Sequence, residues 1–361
     1  MDLTNLQTEG ILIPRNDYWE EFRLAYWGNT RVLDKLRTNR ILELPLHASR
    51  EAFTPVELLA GTSVGVLGGK WSHFVYVRDE YDFVYNRLRD LKELRGGVIV
   101  TGNRGIGKSL FNLYGLVRQL INQETTVLQI GLSRPMLFHA SGVYELADHL
   151  QPRHLLTTPP LWCFHDNYAR EDPKLKKPPN VNTALCFVVF TVSSDDQRTA
   201  SLRAASDPYE ILYMNPWNDE CERKEFLGLL GKKDLYYDVV GPSMRDIIRS
   251  LKLGSTQWFT EKVKEYMDER TNWDQIIQAN MTRTRTRTAS SLPHLLFAVT
   301  RDETQLDCFK ADFKSPWVEE YFTAQLPAVA RFSSGLSETT LQGKEGTGTH
   351  ILGTFGDWKR A

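Results

Sequence analysis

The chain has 361 residues, 41% hydrophobic and 25% charged, enough for one large or two modest globular domains with a proper core. A formal charge of −1 excludes a global electrostatic pull toward nucleic acid or anionic membrane and leaves only local patches for such contacts. Four cysteines (Cys163, Cys186, Cys221, Cys308) lie far apart with no C-x-x-C pair, which excludes a disulfide scaffold and points to reduced thiols of an intracellular protein, cytoplasmic or nuclear. No basic-then-apolar leader opens the chain, and no run approaches the ~18 apolar residues of a membrane span, so no membrane association is expected.

Residues 1–70 are aromatic-rich and punctuated by turn residues, as in a small N-terminal extension. Phe74 to Val77 then reads as a strand and Asp79 to Leu94 as a helix. Val98, Ile99, Val100 and Thr101 read as a buried strand feeding straight into Gly102, Asn103, Arg104, Gly105, Ile106, Gly107, Lys108 and Ser109. That stretch matches G-x-x-x-x-G-K-[ST]. Leu110, Phe111, Leu113, Tyr114, Leu116, Val117, Leu120 and Ile121 follow at helical spacing, so strand, loop and helix stand in the order a phosphate cradle needs. Glycines let successive N–H groups face phosphate oxygens, and the helix N-terminus adds a favourable dipole. In this pattern Lys108 reaches the β- and γ-phosphates and Ser109 binds Mg²⁺.

Further on, Thr126 to Ile130 reads as a strand and Ser141 to Leu150 as a short helix. Leu161 to Asp166 is an apolar strand ending in an acid. Residues 168–182 are charged and proline-bearing, hence a surface loop. Ala184 to Val192 and Ile211 to Met214 complete the strands. Their alternation with helices predicts an α/β fold with a parallel sheet covered on both faces. Asn218 caps a helix to Leu230, Pro242 opens another through Leu251, and Thr256 to Asn280 is a longer helical zone. The last hundred residues mix a strand (Leu295 to Val299), a helix (Trp317 to Leu326) and a Gly/Ser/Thr-rich tail from about Ser333 that is expected to be poorly ordered. The division this implies is an extension over 1–70, a core over 71–216, a helical lid over 217–280 and a second extension over 281–361.

A phosphate loop needs a carboxylate on a neighbouring strand to hold Mg²⁺ and its waters. Asp166 stands at the C-terminal end of its strand, where ligands gather in open α/β sheets; Glu171 and Asp172 are alternatives. Asn167 follows Asp166, and an amide orients water without accepting its proton, so hydrolysis should be slow or should recruit another base. Ser194, after the next strand, either senses the γ-phosphate or completes a turn. Arg245 either swings over the phosphates or is a solvated helix residue. The lysine of an N/T-K-x-D guanine-reading segment is missing after that strand, which favours ATP over GTP. Arg283, Arg285 and Arg287 share one face if extended, as in a solvated linker or a backbone-tracking arm for nucleic acid. No histidine spacing suggests a metal besides Mg²⁺.

The order of these segments resembles the P-loop NTPase module of the Crinkler and retrotransposon-hot-spot (RHS) proteins. The matching pieces are Val75 to Tyr81, Gly97 to Ser109, Trp162 to Asn167, Phe190 to Ser194, Tyr213 to Trp217 before an acidic helix, and Gly241 to Arg245. The resemblance implies a STAND/AAA-like core over roughly residues 70–300. It further implies Lys108 and Ser109 as phosphate and Mg²⁺ contacts, Asp166 as the Walker B acid, and Arg245 as a sensor. No D…E-x-K nuclease constellation or secreted N-terminal module accompanies it. The expectation is therefore an ATP-binding switch or slow Mg²⁺-dependent ATPase acting with a protein partner. The alternatives are a nucleotide-bound interaction module that does not hydrolyse, and a nucleic-acid-associated NTPase suggested by the Arg283, Arg285 and Arg287 run.

Overall fold

The computed structural model describes residues 3, 7, 12–15, 18–45, 74–92, 97–130, 134–147, 160–166, 186–192, 209–268, 284–286, 294–304 and 308–325. Two compact units are present, residues 1–315 and 316–361. In the second, residues 316–325 are helical, with Trp317 stacked on Tyr321 one turn later.

The first unit is built on an eight-stranded sheet. Its centre is parallel: β5 (Thr126–Ile130), β8 (Leu161–Asp166), β9 (Cys186–Thr191), β4 (Gly97–Thr101) and β10 (Tyr209–Tyr213) lie side by side in that order. Every residue of β4, β8 and β9 is buried. Continuous apolar runs such as Cys186-Phe-Val-Val-Phe are what a strand covered on both faces requires. Helix α3 (Asp79–Leu91) precedes β4, and α4 (Lys108–Ile121) follows it. Helix α4 packs on β5, β8 and β9. The join is aromatic: Tyr85 of α3 stacks on Trp162 of β8 at 5.8 Å between ring centres.

The expected parallel sheet needs one correction. Beyond β5 the sheet turns antiparallel through β6 (Met136–His139), β7 (Gly142–Leu146) and β1 (Leu12–Arg15). The helix expected over 141–150 is strand β7 over its described part. Val143 and Tyr144 gain hairpin partners in β6 and Leu146 pairs with Leu12 of β1, and this tertiary pairing overrides the weak helical spacing. The N-terminal segment also enters the core. Its strand β1 is the outermost strand, and Trp19 and Phe22 of helix α1 (Tyr18–Tyr26) are buried, Trp19 edge-on to Phe138 of β6. Helix α2 (Arg31–Asn39) leads to β2 (Ile41–Glu43), which pairs with β3 (Phe74–Tyr76).

Between β10 and Asp268 the described residues form α5 (Glu220–Leu229), α6 (Tyr237–Val240), α7 (Met244–Leu253) and α8 (Gln257–Asp268). Asp219, one residue later than expected, caps α5 by accepting from the Glu222 N–H at 2.7 Å. Ser243, not Pro242, caps α7. The part of the long helical zone beyond Asp268 lies outside the described residues. A small antiparallel sheet follows, in the order β11 (Thr284–Thr286), β13 (Phe309–Phe313), β12 (Phe297–Arg301). Cys163, Cys186 and Cys308 are buried and Cys221 is exposed. Among the described residues no helix is long and apolar enough to cross a membrane.

Candidate functional site

Strand β4 ends at Thr101 in the middle of the parallel sheet, and the chain turns at once into α4. The turn is possible because Gly105 and Gly107 have φ of +78° and +104°, a region that a side chain disfavours. Both positions are also crowded. A methyl at Gly105 would press on Ser243 Oγ and Arg245 Cβ, and one at Gly107 would overlap the Tyr81 hydroxyl. The loop is thus packed from outside by α3 and by the start of α7. Its first helical residues, Lys108 and Ser109, are half-buried.

Lys108 Nζ donates to the carbonyls of Gly102 (2.8 Å) and Asn103 (2.5 Å), so the ammonium lies across the loop. Ser109 Oγ donates to Asp166 Oδ1 at 3.1 Å. Thr191, at the end of β9, donates to the same oxygen at 2.9 Å and accepts from Asn112 Nδ2 of α4 at 2.7 Å. The order β8–β9–β4 explains the arrangement: β9 separates the acid-bearing strand from the loop strand, and its terminal hydroxyl bridges them.

Asp166 is buried, and its Oδ2 has no hydrogen-bond partner among the described residues. Burial pushes its carboxyl up to about 6; the Thr191 and Ser109 hydroxyls and the charges of Lys108 and Arg245 pull the other way. An unmet acceptor lone pair inside a protein is costly. Oδ2, beside a serine hydroxyl and an ammonium, fits a hard cation with oxygen ligands or its bound water. Ser109 and Asp166 are the residues that would hold Mg²⁺. Among the described residues no group of three His, Cys, Asp or Glu side chains is gathered for another metal.

The remaining predicted residues divide. Arg245 is exposed in the first turn of α7, directly against Gly105, and close enough to act electrostatically on Asp166. Asn103 belongs to the loop by backbone only. Its side chain is buried and pairs with β12, accepting from Val299 N–H at 2.8 Å and donating to Phe297 O at 3.5 Å. Arg104 is exposed, and its carbonyl accepts from Ser243 Oγ. Ile106 is fully buried and Leu110 half-buried, so both contribute backbone and packing. Ser194, Asn167, Glu171 and Asp172 lie outside the described residues, as do Arg283 and Arg287. Thr284–Thr286 of the arginine run is paired with β13.

Three contributors escaped the sequence reading. Arg78, 2% exposed, donates to the carbonyls of Ile106, Asn215 and Pro216 and pairs with Glu222 of α5. Trp217 Nε1 donates to the same Ile106 carbonyl, with the Arg78 guanidinium 4.4 Å over its ring. Asn112 and Thr191 form the third, a polar pair in an apolar helix–sheet seam. The signal available for Arg78 was a lone arginine between an apolar strand and an acidic helix start, which spacing alone does not separate from a surface residue.

No protein-family model matches the chain, and no curated protein matches it. The function rests on the site itself.

Proposed function

We propose that this chain binds a nucleoside triphosphate, ATP in preference to GTP, together with Mg²⁺, and works as a nucleotide switch or slow ATPase of the Crinkler/RHS type. The observation that carries the reading is the junction at the end of β4. A glycine loop closes over the N-terminus of α4, its lysine lies across the loop, and the following serine is bonded to a buried carboxylate with one unmet oxygen. The five parallel strands, with one strand between loop and acid, are compatible with the AAA-like core of that reading.

In this reading the loop amides and Lys108 neutralise the phosphate tail. Bound Mg²⁺ would supply charge compensation for the β- and γ-phosphates. Ser109 and Asp166 orient the oxygens that hold it, and Thr191 fixes which carboxylate oxygen is left for the task. Arg245, on the first turn of α7, links phosphate occupancy to the helices over 220–268, which would pass the state to a protein partner. Asn167 in place of a carboxylate favours the second reading, a nucleotide-bound interaction module without turnover.

Titration calorimetry of the full chain with Mg·ATP and Mg·GTP tests the assignment. ATP binding that is lost in Lys108→Ala supports it; no binding, or binding indifferent to that change, overturns it. Turnover equal to the Lys108→Ala background would select the non-hydrolysing alternative.

A further inference from the structure

The outer side of the phosphate loop is held by three side chains whose donors all meet backbone carbonyls of one turn. Arg78 Nη1 and Trp217 Nε1 both donate to Ile106 O, each at 3.1 Å. Tyr81 Oη donates to the next carbonyl, Gly107 O, at 2.8 Å. Arg78 and Trp217 are buried, and so is Tyr81. A peptide group is planar and trans, so its C=O and N–H point in opposite directions. Drawing the Ile106 carbonyl outward presents the Gly107 N–H to the inner side, and drawing the Gly107 carbonyl outward does the same for the Lys108 N–H.

We propose that Arg78, Trp217 and Tyr81 are positioning residues for the anion: they fix two consecutive peptide planes of the loop so that the Gly107 and Lys108 amides face the triphosphate before it arrives. This rests on the nucleotide-binding reading above and extends it to residues that touch no ligand. The physical need is specific. Both peptides flank Gly107, whose φ of +104° gives the turn little intrinsic preference. The Gly107 carbonyl also accepts the first helical bond, from Phe111 N–H at 2.9 Å, so Tyr81 reinforces a plane that the helix already holds. Arg78 and Trp217 hold the Ile106–Gly107 plane just outside the helix. Arg78 is itself anchored by Glu222 Oε2 at 3.2 Å, while Glu222 Oε1 accepts from the Asp79 N–H at 3.1 Å. The same acid therefore starts α3 and ties the clamp to α5.

The test uses full-length protein, inorganic tripolyphosphate as a probe without base or sugar, and calorimetry well below the melting temperature. Tyr81→Phe and Trp217→Phe each remove one donor and keep a ring, which avoids the folding risk of replacing Arg78. Each should weaken tripolyphosphate binding by about fivefold to tenfold, the equivalent of one hydrogen bond. Tyr85→Phe, which deletes a hydroxyl from the same helix that accepts from Gln119 and not from the loop, should bind like wild type. In ¹H–¹⁵N spectra the Gly107 and Lys108 amides should move in Tyr81→Phe and Trp217→Phe and stay in place in Tyr85→Phe. Wild-type affinity in both loop-facing variants, or equal weakening in Tyr85→Phe, overturns the proposal. Failure of wild type itself to bind tripolyphosphate in a Lys108-dependent way would instead overturn the underlying nucleotide reading.

Discussion

Asp166 shows how burying one carboxyl opposes stability at a single residue. In an unfolded chain its carboxyl titrates near the ordinary aspartate value of 3.8, and in the folded protein burial pushes it to about 6. Between those values the folded state holds more protons than the unfolded one, so stability falls as pH rises through the window and stays reduced above it. Asp166→Asn keeps an acceptor for Ser109 and Thr191 and removes the buried charge. In the absence of nucleotide and metal it should therefore melt above wild type at pH 7.5, with the gap closing toward pH 4. Thermal melts across pH 4 to 8 check this, and a variant that melts below wild type throughout would refute it. Thr191 bears on the same carboxylate. Thr191→Val leaves Asn112 Nδ2 and Asp166 Oδ1 each short of a partner in a fully buried seam, and should cost about 2–3 kcal/mol in urea unfolding. Thr191→Ser restores the hydroxyl and should recover most of that loss.

At the scale of elements, the distance between α4 and the sheet is set by Gly115. A methyl there would lie 2.5 Å from two ring carbons of Phe164 on β8, so the helix comes as close as a bare backbone permits. Alanine is the better helix former by about 1 kcal/mol, yet the ring is fully buried and must shift to admit a methyl. Gly115→Ala is therefore expected to lower stability by about 1–3 kcal/mol, and, by lifting α4, to lengthen the Ser109–Asp166 contact and weaken Mg²⁺-dependent nucleotide binding. Stability equal to or above wild type would show that the helix slides without cost. Such contacts also explain what the sequence could convey. The continuous apolar runs of β4, β8 and β9 and the glycine loop were legible because burial on both faces and positive φ leave marks on residue type. Strand β7 was not, since Val143-Tyr-Glu-Leu146 is short and its strand character comes from the hairpin with β6. The side-chain partner of Asn103 was hidden for a related reason: its place in the loop was plain, while Val299 of β12 lies 196 positions away in the chain.

Across the first unit as a whole, the C-terminal strands are fastened to the loop region rather than appended to it. Arg301 of β12 pairs with Glu80 of α3 through both nitrogens, also donates to the Tyr213 carbonyl, and stands 3.7 Å over the Phe83 ring. The side chains of this pair are only 7% and 10% exposed. Glu80 Oε1 in turn accepts from the Asn215 N–H, and Asn215 Oδ1 accepts from the Arg301 N–H, which closes a ring of contacts beside Asn103 and its bond to Val299. Removing one partner of a buried ion pair strands the other charge, at a cost of about 3–5 kcal/mol. Arg301→Met should accordingly lose that amount of unfolding free energy in urea titrations, and Glu80→Gln with Arg301→Met should regain part of it because no unpaired charge is left. If β12 and the loop behave as one cooperative body, Arg301→Met must also weaken tripolyphosphate binding, although Arg301 itself is bonded to α3 and β10 and not to the loop. Hydrogen exchange on the same variant separates the outcomes. Faster exchange at both Val299 and Gly107 means the strand and the loop open together, whereas a change confined to β12 and β13 would show that the C-terminal sheet unfolds on its own and leaves the glycine loop standing.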